Sequence, residues 1–167
     1  MTRTLTALAT VVAAACALQV TPARASIGGN AVDFCQPSLS NLENGVRKRP
    51  LAIANEGTIT TYVSCSVQQS QTGEQIDQVL VLFTNRTNTP KSVSCTLVDG
   101  VALPFPGQPP KYFPKTFVVA PANFVIGEWD KTDDNGGLPF GLANLSCALP
   151  PGTELNTVSV PTSVPEP

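Results

Sequence analysis

The sequence predicts an all-β protein: an antiparallel β-sandwich, jelly-roll or immunoglobulin-like, of about seven or eight strands. Three observations predict it. Short segments rich in Val, Thr and Ser alternate apolar with polar residues, and no stretch shows the three-to-four residue period of a helix. Sixteen prolines and twelve glycines punctuate those segments, while charged residues make up only 13% of the chain. Finally, Cys35, Cys65, Cys95 and Cys147 follow an export signal at intervals of 30, 30 and 52 residues, with no C-x-x-C pair among them. Such spacing in an oxidising compartment indicates disulfides rather than a metal.

The chain opens with Arg3 and an apolar, Ala-rich run over 5–20, broken by Thr21-Pro22. Ala23-Arg24-Ala25 then supplies the small-x-small pattern of a signal-peptidase site, which places cleavage after Ala25. The run is shorter than the roughly 20 residues needed to span a bilayer. Cys16 lies inside it without the leucine that precedes a lipidated cysteine. The expected domains are a signal peptide over 1–25, one β-sandwich over 26–160 and a disordered Pro-rich tail over 161–167. Location is secreted or periplasmic, with no membrane span after cleavage.

Removing Arg3 and Arg24 with the signal leaves eight basic against twelve acidic residues, a net charge of −4. That balance disfavours nucleic acid as a partner, and Arg47-Lys48-Arg49 beside Pro50 reads as a solvated loop. The chain contains no histidine, which excludes Ser-His and Cys-His nucleophile pairs, His-ligated zinc and haem. No cofactor is indicated.

The strand candidates come in order. Segment 60–68 (TTYVSCSVQ) alternates, and 78–84 (QVLVLFT) is a continuous apolar run, read as a central strand buried on both faces. Segment 92–99 places Val93, Cys95 and Leu97 on one face, and Asp99-Gly100 turns the chain. Five prolines make 103–114 an irregular connection or an edge segment. Two strands at 116–120 and 123–129 are divided by Pro121, and 131–137 is a loop. Segment 142–149 aligns Leu145, Cys147 and Leu149; Pro150-Pro151-Gly152 then turns into a last strand over 155–160.

Four cysteines allow three pairings. Cys35–Cys65 and Cys95–Cys147 are favoured, because Ser94-Cys95-Thr96-Leu97 and Ser146-Cys147-Ala148-Leu149 look like equivalent strand positions able to face each other. This Ser-Cys-x-Leu echo is the only internal repeat expected.

Phe34-Cys35-Gln36, Val63-Ser64-Cys65, Val93-Ser94-Cys95-Thr96-Leu97 and Leu145-Ser146-Cys147-Ala148-Leu149-Pro150-Pro151-Gly152 occur in that order. On these segments the chain resembles a group of small secreted bacterial proteins with a signal peptide and a single β domain. The resemblance implies a two-disulfide β-sandwich and carries no activity and no functional residues.

Two stretches are candidates for ligand chemistry. Trp129 with Tyr112 and Phe113 would make an aromatic platform for a sugar ring, with Glu128 and Asp130 as hydroxyl partners; the competing expectation packs Trp129 in the core. Asp130, Asp133, Asp134 and Asn135 offer hard oxygen donors for Ca²⁺. Aligned on Gly136, however, the Ca²⁺-loop pattern has Lys131 first and Leu142 twelfth, so a solvated hairpin loop without metal is expected. Asn85-Arg86-Thr87 and Asn144-Leu145-Ser146 match the glycosylation sequon and are read as chance matches.

The expected function is therefore a non-catalytic interaction or envelope-associated module, its partner an unidentified protein or glycan. A carbohydrate-binding module using Trp129 is the alternative. A small inhibitor of secreted proteases, presenting segment 103–114, is a third reading.

Overall fold

Alternation along the strands sets the architecture, because each strand has one face that must leave water. The computed structural model describes residues 26–38, 45–67, 75–100, 109–133 and 143–163. In chain order the elements are β1 (Ser26–Asn30), α1 (Ala31–Phe34), β2 (Cys35–Pro37), β3 (Val46–Arg49), β4 (Ala52–Asn55), β5 (Thr61–Ser66) and β6 (Gln75–Ile76). They continue as β7 (Gln78–Asn85), β8 (Lys91–Asp99), β9 (Lys111–Val119), β10 (Phe124–Asp130), a 3-10 turn (Lys131–Asp133), β11 (Ala143–Leu149) and β12 (Thr153–Ser163). The expected signal segment 1–25, residues 103–108, Asp134, Asn135 and the end of the tail, 164–167, lie outside the described residues.

Two antiparallel sheets face each other as a β-sandwich. One runs β10-β7-β12-β4-β3, with β1 and β6 also paired to β12; the other runs β2-β5-β11-β8-β9. The core between them is built from Val79, Val81, Phe83, Leu155, Val158 and Val160 on one side and Val63, Val93, Leu97, Leu145 and Leu149 on the other. At about 25 cal/mol per Å² of apolar surface removed from water, this contiguous core is the main stabilising term.

Both favoured disulfides are present, and both join residues directly opposite on neighbouring strands of the five-stranded sheet. Cys35 faces Cys65 across β2 and β5, and Cys95 faces Cys147 across β8 and β11. They stitch that sheet sideways and do not bridge the two layers.

Several expectations are corrected. The described residues contain twelve strands, more than the seven or eight expected, because β1, β3, β4 and β6 carry little strand signal of their own and are ordered by pairing. The 78–84 run is central, but it is buried on one face only. Val79, Val81 and Phe83 point inward, whereas Leu80 and Leu82 are half-buried on an outer face that no second layer covers among the described residues. The final strand runs on to Ser163 instead of stopping at Val160, with Pro161 opposite Ser26 and Thr162 opposite Ile76. Of the two readings of 103–114, the edge segment holds for 111–114, the first part of edge strand β9, where a missing proline N–H is tolerated.

A second internal repeat emerges. Residues 55–66 (NEGTITTYVSCS) and 85–96 (NRTNTPKSVSCT) each leave the larger sheet through a buried Asn and enter the smaller one at a Val-Ser-Cys strand. Asn55 donates from Nδ2 to the carbonyls of Ile59 (2.8 Å) and Leu149 (2.7 Å), and its Oδ1 accepts from the Gly57 N–H (3.0 Å). Asn85 donates to the carbonyls of Thr89 (2.8 Å), Val119 (3.1 Å) and Ala120 (3.1 Å), and accepts from the Thr87 N–H (2.9 Å). Each amide satisfies loop backbone that has left one sheet and not yet joined the other. The Pro150-Pro151-Gly152 turn sits between the two arches. Its Gly152 N–H donates to the Asn55 carbonyl and its carbonyl accepts from the Arg86 N–H. Gly152 has φ of 78°, and a Cβ there would lie 2.3 Å from Thr87 Cγ2, so only glycine fits.

Candidate ligand-binding face

Trp129 does not form an exposed platform. Its side chain is 0% exposed, its indole N–H donates 2.8 Å to the Phe113 carbonyl, and its ring meets Phe117 edge-on at 5.3 Å. Alternation puts it there: Gly127 and Trp129 face inward on β10, while Ile126 and Glu128 face out. The indole thereby ties edge strand β10 of one sheet to edge strand β9 of the other. Of the five residues proposed from sequence to hold a sugar, Trp129 is withdrawn from the surface. Phe113 is half-buried on the same inner side.

The described carboxylates around it, Glu128, Asp130 and Asp133, are engaged internally. Lys115 Nζ donates to Asp133 Oδ2 (2.7 Å) and to the Glu128 carbonyl (2.8 Å), and lies 6.0 Å from the Trp129 ring centroid. Asp133 Oδ2 also accepts from the Asp130 N–H at 3.0 Å. Asp130 Oδ1 accepts from both the hydroxyl and the N–H of Thr132, and Glu128 accepts from Gln78 Nε2. The Thr132 hydroxyl, then its N–H, hold the Asp130 carboxyl below its ordinary value, with Lys115 adding to the effect. Asp130 and Asp133 thus serve a short turn and a lysine, and Glu128 a neighbouring strand. Asp134 and Asn135, the other two Ca²⁺ candidates, fall outside the described residues. Among the described residues no group of three His, Cys, Asp or Glu converges as a metal site.

Tyr112 is the sequence-chosen aromatic residue that stays at the surface, 64% exposed. It belongs to the outer face of the five-stranded sheet, whose composition follows from the cysteines. Because Cys65, Cys95 and Cys147 point inward, the residues beside them point outward. Register then sets these outward residues in rows. Ser66, Asn144, Val98 and Tyr112 form one row; Gln36, Ser64, Ser146, Thr96 and Pro114 a second; Tyr62, Ala148, Ser94 and Thr116 a third. None of these side chains is charged. Ser94 and Thr116 share a hydroxyl–hydroxyl hydrogen bond of 3.0 Å, and Ser64 shares one of 2.6 Å with Ser38.

Two shallow clefts open on this face. One, of about 340 Å³, lies toward β2 and includes Gln36, Ser66, Asn144 and Ser146, with Asp33 and Lys48 at its outer end. The other, of about 290 Å³, lies toward β9 between Tyr62, Ser94, Pro114 and Thr116, and also includes Ser146 and Lys115. Tyr62, 50% exposed, stands at the corner of the face opposite Tyr112.

Sequence reading missed Tyr62 as a site residue and missed the face itself. The signal was present as three Ser-Cys pairs, which place a hydroxyl outside wherever a disulfide cysteine lies inside. The sequon at Asn85 is closed off, since its amide is buried and fully engaged with backbone. Asn144 lies exposed on the outer face.

No family model matches the chain, and neither does any curated protein. Among solved structures it is similar to a Podospora anserina GH26-CBM35 β-(1,4)-mannanase, at a TM-score of 0.45 and 10% identity, covering 85% of this chain and 28% of that one. It is similar to a Phanerochaete chrysosporium exo-β-1,3-galactanase with galactose, at 0.43 and 12%, covering 81% and 29%. A third is TmCBM61 in complex with β-1,4-galactotriose, at 0.35 and 8%, covering 82% and 85%. The chain spans less than a third of the first two proteins. At these scores and identities the likenesses carry no assignment of ligand or activity.

Proposed function

We propose that the protein is a non-catalytic, exported binding module whose ligand is a neutral glycan, taken on the outer face of the five-stranded sheet. The observation that carries the reading is the composition of that face. Its rows offer hydroxyls and side-chain amides, which both donate and accept as sugar hydroxyls require, and no charge that would favour an ionic ligand. Tyr62 and Tyr112 add exposed aromatic faces, the usual apolar partners for the C–H side of a pyranose. The two disulfides support an oxidising location, and no helix among the described residues is long and apolar enough to cross a membrane. The carboxylates nearest the former Trp129 candidate site are engaged with Lys115, Thr132 and Gln78, which supports a binding role over acid–base chemistry.

The test is retardation in native gels cast with soluble neutral polysaccharides: galactomannan, mixed-linkage β-glucan, xylan, dextran and starch. Retardation by at least one is expected. It should be lost in the Tyr62→Ala, Tyr112→Ala double variant, with thermal melting unchanged. Free migration through every gel refutes the proposal, as does retardation that survives the double variant.

A further inference from the structure

We infer that this face holds a linear glycan along its internal length, several sugars at a time, rather than a free or terminal sugar. The inference rests on the glycan reading above and names the form of the ligand. The two clefts adjoin at Ser146, which lines both, and are taken together as one groove. Following the register, the groove starts at Gln36 on β2, passes Ser146 on β11 and ends at Thr116 on β9, so it crosses all five strands. With strands ~4.8 Å apart and residues ~3.3 Å apart along them, that path is ~20 Å long. A monosaccharide occupies a small part of it.

The tyrosines stand across this path, not along it. Tyr62 is on β5 in the third row and Tyr112 on β9 in the first, so they occupy opposite banks of the diagonal. Tyr62 borders the cleft toward β9, and Tyr112 stands off the path on the edge strand, so neither ring caps the ends at Gln36 and Thr116, which suits a continuing chain. A site built for a chain end would instead close one end of the groove around a sugar. Asp33 and Lys48 sit at the β2 end and Lys115, paired with Asp133, toward the β9 end, so the row through Ser64, Ser146 and Thr96 between them carries no charged side chain.

The experiment uses cello-, manno-, xylo-, isomalto- and maltooligosaccharides of increasing length, matched to whichever polysaccharide retards the protein, with affinity measured by titration calorimetry. Affinity is expected to rise about tenfold or more from the disaccharide to the longest oligomer and then level off, a tenfold gain being 1.4 kcal/mol. Ser146→Arg, which puts a long charged side chain where the two clefts meet, should abolish binding while the melting temperature holds. Thr96→Arg, one strand away in the same row, serves if that variant unfolds. Mono- and disaccharides binding within about threefold of the longest oligomer would overturn the inference and leave the glycan reading standing. Full affinity in a folded groove-blocked variant would also overturn it. Failure of every polysaccharide to retard the protein overturns both.

Discussion

Replacing Trp129 separates a structural indole from a ligand-binding one. In Trp129→Phe the ring remains, but the N–H that donates 2.8 Å to the Phe113 carbonyl is gone, along with the larger half of the bicycle. A buried carbonyl losing its donor costs about 1–3 kcal/mol, and the residual cavity beside Phe117 adds to it. Full truncation to Ala costs about 3–5 kcal/mol. Set against a total stability of about 5–15 kcal/mol, the Phe variant should lose about 2–4 kcal/mol. For a domain of this size that lowers the melting temperature by about 10 °C. Urea unfolding followed by far-UV circular dichroism measures it, because fluorescence is lost with the indole. In the unsubstituted protein, acrylamide should quench Trp129 weakly and a bound oligosaccharide should leave its emission unmoved. A Trp129→Phe protein as stable as the parent that has lost glycan binding would refute this reasoning and return Trp129 to the ligand.

Removing the disulfides should cost stability in proportion to the loops they close. Sequence separations of 52 and 30 residues give about 4.2 kcal/mol for Cys95–Cys147 and about 3.7 kcal/mol for Cys35–Cys65 on the chain-entropy model. Paired Cys→Ala variants in urea test this, and a neutral result for either pair contradicts it; the denatured, unreduced chain from Ser26 onward should show no titratable thiol. Asn85→Ala strips a partner from three backbone carbonyls and from the Thr87 N–H, so a loss of about 3 kcal/mol or more is expected. Arg86→Ala, which removes the guanidinium paired with Glu154 at 2.9 Å but two-thirds exposed, should cost at most about 1 kcal/mol. Equal losses in the two variants would show that the arch is not held by its amide. The Asp130 carboxyl should titrate by NMR below the ordinary 3.8, so its turn is favoured above the unfolded value and released as pH falls through the folded one. Thr132→Val should move that midpoint up, and a midpoint at or above the ordinary value in the parent protein would contradict the assignment.

Local periodicity explains which elements were legible. Strands β8 and β11 could be read with their inward residues, since Val93, Cys95, Leu97, Leu145, Cys147 and Leu149 alternate with polar neighbours. That same parity made Cys95 and Cys147 equivalent and led to the pairing the structure contains. The 78–84 run misled because a continuous apolar strand reads the same whether one face is covered or two. Strands β3 and β4 were invisible, as VRKR and AIAN become strands only through each other and β12. The repeated Asn arch was present in the sequence at a 30-residue offset, but its meaning lies in carbonyls contributed by β9 and β11.

The sequence alone determined an antiparallel β-sandwich, the alternation of its principal strands and the favoured cysteine pairs, because these depend on neighbours along one strand. Tertiary structure decided which aromatic residues meet solvent. Trp129 is enclosed because Phe113, Phe117 and Lys115 reach it from the opposite sheet. Tyr62 and Tyr112 are left outside because strands distant in sequence pair in one register. Side-chain direction is a local property of a strand, whereas what covers that side chain is settled only when the sheets meet.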